Sequence, residues 1–388
     1  MFFCQFSYRL VLFLSAALFL FLVNDTLAQG SKQSKSVASA LPTAEAIKAC
    51  MNAEHSAECL DLLFRDALKT HSTLEALELI QTLEATDTDL RRDCHPVVHA
   101  IGRETYLLKG NIHDSFSACD QTCHSGCYHG SVERFLRGDA LYEMTDQHPS
   151  QRELKQKATI ACDPKIALRF QYQCLHGLGH AIMFFASYNL TNSLDVCDAL
   201  QDDWNRNSCY GGVFMENVFN SINEKKNFSP TDYHAPCNKI DAKYRRECYV
   251  MQTSRMTEMG LSAERIFEEC EKSGEFREAC AQSLGRDLSN ESRLGDRRTA
   301  AKKCELAAGE TRRACVRGVV YALVDNTWDG RYALPFCAAL SSATDQDDCF
   351  KETQEYLRGY FEKTARDLSE ECSRHAPGSD RCLRSAAR

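Results

Sequence analysis

The stretch "CEKSGEFREAC", residues 270–280, sets two cysteines around a short polar segment broken by Gly274. Just upstream, "SAERIFEE" (262–269) has the apolar spacing of a helix end, with Ser262 placed as its N-cap and Glu264 close behind. Together these features read as helix, turn, helix, with a disulfide across the turn. In the chain-entropy description, a bridge closing a loop of about ten residues is worth roughly 2–3 kcal/mol.

The same couple recurs along the chain: Cys50 with Cys59, Cys162 with Cys174, Cys197 with Cys209, Cys237 with Cys248, Cys304 with Cys315, Cys337 with Cys349 and Cys372 with Cys382. From Cys162 onward the first members lie 35, 40, 33, 34, 33 and 35 residues apart, a period typical of helical-hairpin repeats. Between couples the pattern is helical. "VRGVVYALVDNTW" (316–328) puts Val316, Val319, Val320, Leu323 and Val324 on one stripe. The expected fold is therefore all-α, a disulfide-stapled, α-solenoid-like array of helical hairpins with a period of about 33–40 residues. A compact all-α domain with the same bridges is the alternative. The Trp, Leu, Gly and Tyr signature of tetratricopeptide repeats is missing.

Four cysteines, Cys94, Cys119, Cys123 and Cys127, fall outside the regular couples and allow three pairings. Repeat logic favours Cys119 with Cys127, which leaves Cys94 and Cys123 to join neighbouring repeats. "CDQTCH" (119–124) also invites a haem-attachment reading, but it has one residue too many between its cysteines. Free thiolates ligating a metal are the third option.

Twenty-one cysteines in 388 residues point to an oxidising compartment. Residues 1–28 read as a signal peptide, with Arg9, an apolar run from Leu10 to Val23, and small residues before Gln29. Its removal takes Cys4 and leaves an even number of cysteines. The expected location is secreted or periplasmic, with membrane attachment only if the signal stays uncleaved. Residues 29–45 read as a polar lead-in, 46–230 as N-terminal repeats, and 231–388 as C-terminal repeats continuous with them, serving as scaffold or as a docking surface for a protein partner. A net charge of −8 argues against nucleic acid or an anionic membrane as general partners.

The histidines single out the N-terminal half. Two residues after the second cysteine, and four further on, stand His129 with Glu133 and His176 with His180. Later repeats show Gly211 with Met215, Gln282 with Arg286, and Arg317 with Tyr321 there. "CHPVVHAIG" (94–102) adds His95 and His99, and its His-x-x-x-His-Ala-Ile string matches 176–182 after a one-residue slip. Residues four apart share a helix face, so three adjacent repeats can aim paired side chains at one ion. The candidate ligands are His95, His99, His129, Glu133, His176 and His180, with His95 the loosest because Pro96 belongs in a first helical turn.

A single such pair is more often solvated or hydrogen-bonded than ligating. Three pairs in consecutive repeats shift the balance toward metal. On the helical wheel, His176 and His180 flank the stripe of Leu175, Leu178, Ile182 and Phe185, which predicts exposed or cavity-facing rings. Gly130, Gly177, Gly212 and Gly318 recur after second cysteines and read as helix contacts; Gly179 lacks such a counterpart and marks a close approach to the backbone. Met215 and the tyrosines Tyr106, Tyr128, Tyr188 and Tyr210 read first as packing.

Imidazole with one carboxylate suits iron, copper or zinc and disfavours calcium and magnesium. Open coordination positions would make the centre catalytic, with oxidoreductase chemistry slightly ahead of hydrolysis, on a small-molecule or peptide substrate. A protein-interaction module without catalysis and a metal storage or delivery protein are the alternatives.

Overall fold

The computed structural model describes residues 40–138, 149–219 and 227–387. The signal-peptide reading lies outside the described residues. The first helices are α1 (Ala44–Met51), α2 (Ser56–Ala67), α3 (Thr73–Thr86), α4 (Thr88–Lys109), α5 (Ile112–Ala118), α6 (Thr122–Arg137), α7 (Gln151–Ala161), α8 (Leu168–Phe185), α9 (Leu190–Cys197) and α10 (Asp203–Phe219). They are followed by α11 (Ala242–Glu258), α12 (Ala263–Lys272), α13 (Arg277–Leu294), α14 (Arg297–Cys304), α15 (Gly309–Thr327), α16 (Ala333–Ala339), α17 (Ala343–Phe361), α18 (Ala365–His375) and α19 (Asp380–Ala386). No strand occurs among the described residues. Helix α1 begins inside the stretch read as lead-in, where the Thr43 hydroxyl accepts from Ala46 N–H.

The expected fold class holds. From α5 to α10 and again from α12 to α17, short helices alternate with long ones, and a disulfide ties the end of a short helix to the first turns of the long helix that follows, as Cys162–Cys174 does for α7 and α8. The eight regular couples all pair locally. Cys119 pairs with Cys127 and Cys94 with Cys123, as repeat logic favours, so neither haem attachment nor free thiolates are compatible with these four residues. Local caps agree with the sequence: Ser262 caps α12, and Gly274 and Gly309 take left-handed backbone at turns. The Val316 to Val324 stripe is fully in the core.

The long helices stack in chain order, α4 on α6, α6 on α8, α8 on α10, and so on to α15 on α17, with the short α19 packed on α17. The array also closes back on itself, for α15 touches α6 and α17 touches α8. Trp328, at the end of α15, stacks on Tyr128 of α6 with ring centroids 5.9 Å apart, and Phe170 of α8 meets its edge at 5.7 Å. The C-terminal repeats thus pack against α6 and α8 of the N-terminal ones. Among the described residues no helix is long and apolar enough to cross a membrane.

Candidate metal centre

Helix α4 is broken at Asp93, whose φ/ψ of −116°/20° is not helical. The helix restarts there, so Pro96 falls in a first turn, where its missing N–H is harmless. This restart carries His95 and His99; α6 carries His129 and Glu133; α8 carries His176 and His180.

Glycine contacts set how these helices cross. A β-carbon on Gly102 would meet the Cys127 carbonyl at 2.0 Å, and one on Gly130 the His99 carbonyl at 2.0 Å. The α8/α10 pair repeats the arrangement, with Gly179 against Cys209 O at 2.1 Å and Gly212 against His176 O at 1.9 Å. So does α13/α15, with Gly285 against Cys315 and Gly318 against Gln282. Gly179 therefore has counterparts after all, Gly102 and Gly285, and what approaches its backbone is a neighbouring helix. The register also departs from the string match: His99 corresponds to His176, each three residues before a packing glycine, and His95 corresponds to Tyr172.

The rings converge. All six centroid separations among His95, His99, His129 and His180 fall between 4.5 and 6.0 Å. One nitrogen each from His95, His99 and His129 lies within 4.8 Å of the others, an arrangement positioned to hold a metal ion. His176 stands to one side, 5.5 Å from His129 and 5.0 Å from His180, with its Nε2 3.4 Å from the Met215 sulfur.

His176 and His180 are each 3% exposed, which corrects the solvent-exposed half of the expectation. Residues 173–183 of α8 are buried on every side, because α6 and α10 flank this helix and α17 covers it. A helical wheel assumes one packed face, and α8 has several. His95 is the one residue of the four with converging rings that is only partly buried.

Hydrogen bonding fixes which nitrogens carry protons. His95 Nδ1 lies 2.6 Å from the Cys123 carbonyl, which can only accept, so Nδ1 bears the hydrogen. His99 Nδ1 donates to Glu133 Oε1 at 2.6 Å, and His180 Nδ1 donates to Glu216 Oε2 at 2.8 Å. His129 Nε2 donates to the Gln173 amide oxygen at 3.3 Å. The remaining nitrogens are His95 Nε2, His99 Nε2, His129 Nδ1 and His180 Nε2. The first two face each other at 2.9 Å, and the last two are buried with no hydrogen-bond partner among the described residues. Two lone pairs at that distance need a cation between them. One proton could serve that gap, but it leaves the other two nitrogens unsatisfied, a costly state for buried polar atoms.

Burial, and then the neighbouring histidines, hold the His95, His129 and His176 rings well below the usual imidazole range, so they stay neutral and able to ligate. Burial pushes the Glu133 carboxyl upward, but His99 and Arg103 more than offset it and keep it ionised.

Glu133 spends its oxygens away from the four free nitrogens. Oε1 accepts from His99 and Oε2 accepts from Arg103 at 2.6 Å, so it orients a ring in the manner of a carboxylate–histidine–metal triad. Arg103 also grips buried Asp61 at 2.7 Å. The supporting groups escaped sequence reasoning. Gln173 adjoins Cys174 and Glu216 follows Met215, but neither repeats a pattern, and the Cys123 carbonyl has no side-chain signature. Tyr172, stacked on His176 with centroids 5.3 Å apart, was also missed. Of the tyrosines that were singled out, Tyr188 reaches Glu216 at 3.4 Å, whereas Tyr128 bonds the Cys119 carbonyl and Tyr210 bonds Asp198.

A second acidic and sulfur group, Glu84 with Cys94 and Cys123, also lies together, but its two sulfurs are bonded to each other. Comparison with protein-family models, curated proteins and solved structures gave no match.

Proposed function

We propose that this chain is an extracytoplasmic protein whose His95, His99, His129 and His180 rings hold a transition-metal ion, and that the centre is enzymatic, with oxidoreductase chemistry ahead of hydrolysis. The observation that carries this reading is the opposed pair of Nε2 lone pairs on His95 and His99, 2.9 Å apart, with both Nδ1 hydrogens committed elsewhere. Four imidazoles suit iron, copper or zinc. An ion about 2.1 Å from each nitrogen would see that pair at roughly 90°, narrower than a closed tetrahedral site wants. This favours a centre with further positions, and so iron or copper ahead of zinc. Ten disulfides support the oxidising location.

A resident ion fits this site better than cargo, because three of the four rings are buried and pre-oriented by partners. A small-molecule or peptide substrate would arrive on the His95 side. Elemental analysis of protein purified without a polyhistidine tag tests the reading. About one iron, copper or zinc per chain is expected, lost in His99→Ala and His180→Ala while far-UV circular dichroism is kept. Metal-free protein that also takes up none of these ions on titration would overturn it.

A further inference from the structure

We propose that the Cys94–Cys123 disulfide is a redox latch on the metal centre; this rests on the metal reading above. The bridge differs from the other nine. Their sequence separations run from 8 to 12, whereas this one spans 29 and ties the restart of α4 to the first turn of α6. Both of its ends adjoin His95, the least buried of the four proposed ligands. Cys94 precedes His95 in the chain, and the Cys123 carbonyl accepts the His95 Nδ1 hydrogen.

The backbone that supplies this carbonyl is strained. Cys123, His124 and Ser125 have φ values of 49°, 57° and 64°, three successive non-glycine residues in the left-handed region. Such residues persist only where their surroundings over-determine them. Here the surroundings are the bridge itself, the enclosing Cys119–Cys127 loop, the His95 contact, and the Ser125 N–H donating to the Gln121 carbonyl at 3.1 Å. Breaking the bridge removes the covalent tie between the turn and α4, although Cys119–Cys127 still closes the loop around it. The turn then relaxes toward right-handed backbone, the Cys123 carbonyl swings away, and His95 loses the acceptor that fixed its tautomer.

The chemistry requires a dithiol reductant. Its thiolate attacks one sulfur of the bridge, the S–S bond breaks, and the other cysteine leaves as a thiolate that takes a proton. The second thiol of the reductant then resolves the mixed disulfide. Two electrons and two protons pass to Cys94 and Cys123, and the reductant becomes a disulfide. Strain relief favours this bridge over the eight that close hairpins away from the turn, and unlike Cys119–Cys127 it joins the turn to a second helix.

The test uses the full chain without a polyhistidine tag and cobalt(II) as the spectroscopic probe. Three samples are titrated: the oxidised wild type; the double variant Cys94→Ser with Cys123→Ser; and wild type briefly treated with dithiothreitol, capped with iodoacetamide and desalted. Peptide mapping of the third sample is expected to find Cys94 and Cys123 alkylated first. Both altered samples should bind cobalt at least tenfold more weakly than the oxidised wild type, and a Cys372→Ser with Cys382→Ser control should bind normally. Equal affinities, or prior opening of another bridge, overturn the latch alone. Failure of the oxidised wild type to bind cobalt sinks the metal centre and the latch with it. If the double variant does not fold, the capped wild type decides.

Discussion

Gly130 rests directly on the backbone of His99, so close that a β-carbon there would lie 2.0 Å from the His99 carbonyl oxygen. The contact that sets the α4/α6 crossing therefore falls on a candidate ligand, and helix packing and site geometry cannot vary independently. Equivalent contacts on α8/α10 place His176.

Alanine at Gly130 or Gly179 must push two helices apart, because what its methyl meets is backbone. Each change is expected to destabilise the chain by about 3 kcal/mol and to weaken metal uptake. Gly359, on α17, supplies the control, since a β-carbon there meets nothing within 4 Å. Gly359→Ala should be neutral or stabilising by up to ~1 kcal/mol through helix propensity. Chemical denaturation of the three variants checks the contrast.

Glu133 and Glu216 each accept from the Nδ1 of a histidine whose Nε2 is free. Replacement by glutamine keeps the shape but removes the charge that raises ring basicity. Metal affinity should fall about 10–100-fold for each, read by competition with a chelator of known affinity. A change below twofold in both would mean that these carboxylates do not support ligands.

Arg103 binds Asp61 and Glu133 together, with all three side chains largely buried. Arg103→Met strips both carboxylates of this partner, and the expected loss of stability is about 3–5 kcal/mol. Arg103→Lys should recover only part of it, because an ammonium lacks the planar fork. Metal-free protein in urea gives the comparison without the contribution of the ion.

Burial raises the Asp325 carboxyl to about 7, against the opposing effect of the Tyr356 hydroxyl bonded to it at 2.7 Å. Between about pH 4, the unfolded value, and pH 7, only the folded chain holds this proton. The unfolded state binds fewer protons, so this group's contribution falls as pH rises, by at most about 1.4 kcal/mol per unit. The stability of the wild type relative to Asp325→Asn is therefore expected to decline from pH 4 to 7 and to level off above. A flat difference across that range would falsify the assignment.

The sequence by itself determined the repeats and most of the crosslinks. A loop of about ten residues keeps its two cysteines close in almost any fold, and a helix puts residues four apart on one face, so couples such as Cys270 with Cys280 and pairs such as His176 with His180 could be read locally. Only the tertiary structure decided which nitrogens are free, because their tautomers are set by Cys123, Glu133, Gln173 and Glu216. Those partners reach His95, His99, His129 and His180 across helix crossings, and no spacing along one helix encodes them. The same holds for the register of His99 with His176 and for the burial of α8 on all sides. Both follow from glycines letting separate helix backbones touch, and contact between segments distant in the chain has no period to betray it.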